Sequence, residues 1–257
     1  MSCPDLAGAP SREATRHCIT FATSRALAYV SVLELGAVWE RTLRRARIPV
    51  KYSQGFNPRP RMHFAAPLPV GCGSEADLLD VSLSVAWTPE AVIRALQGVT
   101  PPHLAVIAVA AVADDDPALS EQLIAAEYRV RLQAEDRTAL SEAVDQLLAK
   151  DSLPLPRRGR RHRGKTYDLR PLIQTLEVSP APAAAWAELR MRLAARPGAT
   201  GRPDEVLKAL GWDDAPRRCT RIRLILKPDQ TVERPRLLRG EDETMSSCTL
   251  KGLGDNR

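Results

Sequence analysis

The sequence predicts an α+β protein in which one βαββαβ unit occurs twice and a disordered tail follows. Three observations predict it. The hydrophobic period switches between 2 and 3.6 residues in the same order in both halves, helix-opening signals stand at corresponding places, and apolar periodicity stops after Lys227.

In the first half, residues 16–22 alternate in polarity and read as a strand. From Ser31 to Arg47 the period becomes helical, with Leu35, Trp39, Leu43 and Ala46 on one face and Pro49 as the stop. Arg41, Arg44, Arg45 and Arg47 gather towards the end of this helix, where cations complement its dipole. Strands are predicted at Pro49–Tyr52 and Arg61–Ala66, flanking a loop, and at Ala76–Ser84. Thr88-Pro89-Glu90 supplies a cap, a proline at the first helical position and a first-turn acid for a helix to about Gln97. Leu104–Val112 closes the unit as a β-branched, apolar strand. This order is the ferredoxin-like split arrangement, and it assigns residues 16–113 to a first domain.

The second domain, residues 125–226, repeats the order. Glu127–Gln133 alternates as a strand, and Glu135–Lys150 carries Leu140, Val144, Leu147 and Leu148 at helical spacing. Thr166–Val178 and Trp186–Ala194 read as extended. Pro203-Asp204-Glu205 opens a helix to about Leu210, and Thr220–Leu226 is the last strand. Asp114-Asp115-Asp116-Pro117 is the expected linker, and residues 227–257 are the tail without a core pattern.

Composition narrows the function classes. A hydrophobic content of 44% with 26% charged residues fits a globular protein, and no apolar run approaches the roughly 18 residues that cross a bilayer. Met1–Arg16 lacks a basic head followed by an apolar block, so a cytoplasmic chain with no membrane contact is expected. The 5 cysteines are scattered, which predicts reduced thiols, and no cluster has the spacing of an iron–sulfur or zinc site. No phosphate-binding glycine fingerprint occurs, so neither cofactor nor metal is expected. Tyr52, His63, Asp80 and Asp168 are the acid–base groups of the motif regions, and they form no catalytic signature.

The densest feature is Lys51–Met62. Gly55 permits a positive φ, while Pro58 and Pro60 stiffen their neighbours into extended backbone. The predicted binding loop presents Tyr52, Ser53, Gln54, Gly55, Phe56, Asn57, Arg59 and Arg61, which combine aromatic faces, amides and guanidinium forks. Asp80, inside the apolar run Leu78–Val81, needs a partner if buried, and it is expected to organise the loop by pairing with Arg59 or Arg61.

Tyr52–Arg61, with Phe64–Gly71 and Leu79-Asp80-Val81, resembles the core motif of the bacterial radical-SAM-linked proteins. These form a domain of unknown function fused to, or encoded beside, a cobalamin-binding radical SAM protein. The resemblance extends to Trp39–Val50, Tyr167–Ile173 and Arg202–Leu207, and it covers roughly residues 16–226. One position departs: Ser31-Val32-Leu33-Glu34 stands where the family has Ser-His-Leu-Asp. The resemblance implies a cobalamin-binding radical SAM protein as partner, and the absent cysteine cluster means this chain is not itself that enzyme.

The net charge of +6 has one obvious source. Arg157, Arg158, Arg160, Arg161, Arg163 and Lys165 form a basic strip interrupted by glycine, a phosphate-seeking pattern that points to RNA. Asp168 and Arg170 follow as a second charged motif. The expected function is an accessory module that recruits RNA or an RNA-containing substrate to the radical SAM system. The alternatives are a protein–protein adaptor that docks on the radical SAM enzyme without RNA, and an RNA-processing or RNA-modifying enzyme.

Overall fold

The computed structural model describes residues 15–134, 136–157, 164–180 and 185–227; apart from Lys227, the predicted tail lies outside them. In the first half, β1 (Thr15–Thr23) leads through a 3-10 turn at Arg25–Leu27 into α1 (Val32–Arg45). Ser31 caps α1 by accepting from the Glu34 amide, and Glu34 accepts in return from the Ser31 amide at 2.8 Å. Thus Val32, which replaces the histidine of the resembled family, takes the first position of a helix whose start is fixed by its neighbours. There follow β2 (Met62–Phe64), β3 (Cys72–Leu83), α2 (Pro89–Leu96), capped by Thr88 as its sequence predicts, and β4 (Leu104–Val112).

A short helix α3 (Leu119–Gln122) opens the second half. It continues through β5 (Leu123–Gln133), α4 (Arg137–Leu148), β6 (Pro154–Pro156), β7 (Thr166–Asp168), β8 (Ile173–Pro180), β9 (Trp186–Arg196), β10 (Ala199–Thr200), α5 (Pro203–Leu210) and β11 (Arg217–Leu226). The strand expected over Pro49–Tyr52 reduces to two bridges, Val50 with Leu83 and Tyr52 with Pro60, because Pro49 has no amide to give the ladder. The extended stretch expected from Thr166 to Val178 is broken by a 3-10 turn at Arg170–Leu172, where Pro171 fixes the backbone.

Nine of the described strands form one mixed sheet of order β10-β9-β5-β11-β3-β1-β4, with β2 also on β3 and β8 also on β9, and β6 pairs with β7 in a separate two-stranded sheet. Its one parallel pairing among the described strands, Cys72–Ser74 against Cys219–Arg221, joins the first half to the second. Each half has its own core. Leu35, Trp39 and Leu43 of α1 pack with Ile19, Phe21, Leu79 and Val81, the Phe21 and Trp39 rings meeting edge to face at 5.1 Å. Leu140, Val144 and Leu147 of α4, with Val206 and Leu207 of α5, pack with Val130, Leu132, Leu189 and Leu193.

Two buried ion pairs and a disulfide cross this framework. Asp80 is held by the Arg16 guanidinium at 2.8 and 2.9 Å through Nε, and Arg16 also donates to the Asp116 and Pro117 carbonyls. The partner of Asp80 is therefore on the adjacent strand, not Arg59 or Arg61, and the pair pins the linker instead of the loop. The Asp77 carboxylate receives the Arg221 Nε and Nη2 at 2.7 Å each, across the seam between β3 and β11. At the same seam Cys72 and Cys219 form a disulfide, which corrects the expectation of reduced thiols; cysteines 147 residues apart become direct neighbours only in the folded sheet.

His17 is 1% exposed and its Nε2–H donates to the Trp87 carbonyl at 3.0 Å. Burial pushes its pKa below the ordinary histidine value, the hydrogen bond opposing this only in part. A depressed folded pKa means the buried neutral ring stabilises fully above about pH 6.5 and loses ground as pH falls, because the unfolded chain protonates first. The expected result is a urea midpoint that drops between pH 7.5 and 5.5 more steeply for wild type than for His17→Gln. Parallel pH profiles would show that His17 does not contribute.

Candidate functional site

The motif loop is built as a short hairpin on the Leu83 end of β3. Lys51 N–H donates to Ser82 O at 2.8 Å, Ser82 N–H to Arg61 O at 3.0 Å, and Arg61 N–H to Lys51 O at 2.7 Å. Higher up, Ser53 N–H donates to Arg59 O at 2.8 Å, while its Oγ accepts from the Arg59 amide at 3.0 Å. Ser53 is thus structural, closing the neck of a tip formed by Gln54, Gly55, Phe56, Asn57 and Pro58. Gly55 has φ +135°, a conformation L side chains avoid. Phe56 stands fully in solvent, and Gln54, Asn57, Arg59 and Arg61 are exposed. Neither Arg59 nor Arg61 forms an ion pair among the described residues.

The end of α1 forms the other wall. Arg47 N–H donates to Arg44 O at 3.0 Å and Ile48 N–H to Leu43 O at 3.1 Å, a Schellman ending with Arg47 at the left-handed position, φ +57°. Glycine is the usual occupant of that position, and an arginine there is strained by the order of 1 kcal/mol. The turn places Arg47 beside Arg44, Tyr52 and Pro60 in a cleft of about 250 Å³ whose floor includes Leu43 and Ile48. Arg44 is paired with Glu40 at 2.7 Å and Arg45 donates to the Val99 carbonyl at 3.3 Å, while Arg41, Arg47, Arg59 and Arg61 are exposed. The fold therefore brings together two features the sequence presents separately, the helix-end arginines and the Tyr52–Arg61 loop.

The strip lies elsewhere. Arg158, Arg160, Arg161 and Arg163 fall outside the described residues, and Arg157 and Lys165 mark its two ends, joined by Arg157 N–H to Lys165 O at 2.7 Å. Arg157 stacks over the Tyr167 ring at 5.8 Å and lines a cleft of about 560 Å³ with Arg202 and Glu205. The Tyr167 hydroxyl donates to the buried Glu205 carboxylate. Arg202 also lines a cleft beside Cys72, whereas the motif loop adjoins Leu83. The two cationic regions thus lie towards opposite ends of β3, whose length is roughly 36 Å at the usual rise per residue.

Asp168 and Arg170 are tied to backbone. The Asp168 carboxylate accepts from the Leu153 amide at 2.7 Å and the Arg170 amide at 2.9 Å, which lowers its pKa. The Arg170 guanidinium donates to Leu148 O at 2.9 Å and Lys150 O at 3.1 Å, closing the carbonyl end of α4. His63 is exposed on β2, opposite Asp80 in the ladder. No cluster of three or more metal-ligating side chains occurs among the described residues, and none of their helices is long and apolar enough to cross a membrane.

These elements define a mixed α+β chain with one large sheet and cationic surface clefts. A family model described as uncharacterized proteins conserved in bacteria (DUF2344) matches residues 16–203, and the chain belongs to that family. No curated protein matches it. Among solved structures it is similar to a chain of a Cbf5–Nop10–Gar1 complex, at 9% identity and a TM-score of 0.46. That match covers 83% of this chain and spans only 50% of the other. A second similar structure, a provisionally assigned glycine cleavage system transcriptional repressor, has 12% identity, a TM-score of 0.21 and coverage of 83% and 99%.

Proposed function

We propose that this chain is a noncatalytic accessory module that binds RNA through the face built from the end of α1 and the motif loop. The observation that carries the reading is Arg47, held at a backbone position that favours glycine and placed on the wall of the Tyr52 cleft. Guanidinium groups from the loop and helix meet phosphates, and the exposed Phe56 ring offers a base-stacking platform. The basic strip is a second phosphate-seeking element, and the separation of its described end, Arg157, from the loop suits an extended strand better than a compact ligand. Service to a cobalamin-binding radical SAM protein rests on the family resemblance alone, and a cytoplasmic location accords with that role. Two tandem ferredoxin-like units remain the best description of the scaffold, supported by the matching orders β4-β1-β3-β2 and β11-β5-β9-β8.

The test is binding of single-stranded RNA against salt. Each phosphate contact contributes about −0.7 to the slope of log affinity against log salt, so Arg59→Ala with Arg61→Ala is expected to flatten it by about 1.4. Phe56→Ala is expected to cost about 1 to 3 kcal/mol with the slope unchanged. Arg47→Gly separates function from fold: it is expected to stabilise the chain by roughly 0.5 to 1 kcal/mol while flattening the slope by about 0.7. Unaltered RNA binding in all three variants, with loss of a radical SAM partner in pull-down, would replace the RNA module with the adaptor.

A further inference from the structure

We propose that the cleft beside the Cys72–Cys219 bond is a thiol–disulfide exchange site for an anionic peptide thiol, and that exchange there unstraps the seam between the two halves. The bond crosses the parallel pairing of β3 with β11, where the two cysteines stand directly opposite each other with Cα atoms 4.6 Å apart. Both line a cleft of about 630 Å³, so the bond faces an open space large enough for a peptide-sized thiol. Arg202 and Arg217 line the same cleft against a single acid, Asp204, and they give it a positive balance that attracts carboxylates and favours a thiolate over a thiol. Tyr29, 72% exposed, adds an apolar lip.

The two sulfurs are not equivalent. Cys72 is 3% exposed and Cys219 is half-buried, so an entering thiolate reaches Sγ of Cys219. As the new S–S bond forms there, the electron pair of the old one leaves on Sγ of Cys72, giving a mixed disulfide on Cys219 and a thiolate on Cys72. A second thiolate attacks the ligand sulfur, frees Cys219 and departs as the oxidised ligand disulfide. Two thiols thereby supply the two electrons, and the reverse sequence restores the strap.

Glutathione is the probe, with 2-mercaptoethanol as the uncharged control, on the full chain without denaturant and with timed alkylation and peptide mapping. The opening rate is expected to rise in proportion to glutathione concentration. Arg202→Gln with Arg217→Gln is expected to slow the glutathione reaction about threefold to tenfold and to leave the 2-mercaptoethanol rate in place. Oxidised glutathione is expected to modify Cys219 in the Cys72→Ala variant far more than Cys72 in the Cys219→Ala variant. Reduction is expected to speed amide exchange at Cys219–Arg221. A rate independent of thiol concentration would mean the bond opens only by unfolding and would overturn the site. Equal modification of the two single variants would overturn the assigned direction of attack. Unchanged exchange at the seam would overturn the unstrapping.

Discussion

Replacing Cys72 and Cys219 together by alanine is expected to lower the unfolding free energy by about 3 to 5 kcal/mol. The bond closes a loop of 147 residues, and the chain-entropy relation gives about 5 kcal/mol for a loop of that size at 25 °C, near the top of the range found on removing native disulfides. The loss acts chiefly through the unfolded chain, because the β3–β11 ladder remains to hold the native backbone in register. Alanine is chosen over serine because Cys72 is buried and a hydroxyl there would need a partner. At a urea dependence of about 2 kcal/mol per molar, the midpoint is expected to fall by roughly 1.5 to 2.5 M. Reductant is expected to produce a comparable fall in wild type and none in the variant. A midpoint change below about 0.3 M in either experiment would show that the bond does not stabilise the folded chain.

That bond also marks where sequence reading stops. Local elements were legible because their causes are local: Thr88-Pro89-Glu90 opens α2, Pro203 opens α5, and the β-branched, apolar run from Leu104 to Val112 becomes β4 with the same bounds. Cys72 and Cys219 carry no local sign of each other, since the strand pairing that joins them closes last in sequence and spans both halves. The same holds for Asp80. Its burial was legible from apolar neighbours, but its partner depends on which strand lies beside β3, and β1 brings Arg16 there.

The candidate surface follows a similar division. Gly55, Pro58 and Pro60 announce an exposed loop with special backbone, and the structure places residues 54–58 in solvent with Gly55 at φ +135°. The arginines ending α1 have a sufficient local explanation in the helix dipole, and although they stand close to the loop in sequence nothing there shows a shared cleft; the Schellman turn at Arg47 puts Arg44 and Arg47 beside Tyr52. Asp168 and Arg170 look like a charged motif in sequence and prove to be backbone ligands, because each is surrounded by the amides or carbonyls left open by a turn and a helix end. Arg221 is obscured in the sequence by the other arginines of β11, although an inward-facing arginine in such a strand signals a buried carboxylate elsewhere.

Asp77→Ala is expected to destabilise the chain by about 3 to 5 kcal/mol, because it strands the Arg221 charge in the seam. Arg221 is 1% exposed and Asp77 3% exposed, and among the described residues the guanidinium is otherwise held by the Ala66 and Pro67 carbonyls at 3.1 and 3.0 Å and by Tyr128. Burial alone would push the Arg221 pKa down, and the Asp77 charge holds it up. The attraction and the desolvation penalty nearly offset each other in such a pair, so removing both charges should cost far less than removing one. Asp77→Leu combined with Arg221→Met is therefore expected to recover all but about 1 to 2 kcal/mol, the remainder reflecting the lost ties to Ala66 and Pro67. Because those carbonyls lie between β2 and β3, the single variant should also raise amide exchange in that segment, ahead of global unfolding. Urea unfolding of the single and double variants decides the matter: a single variant within about 1 kcal/mol of wild type, or a double variant as unstable as the single, would mean the pair is not what binds the halves at this point.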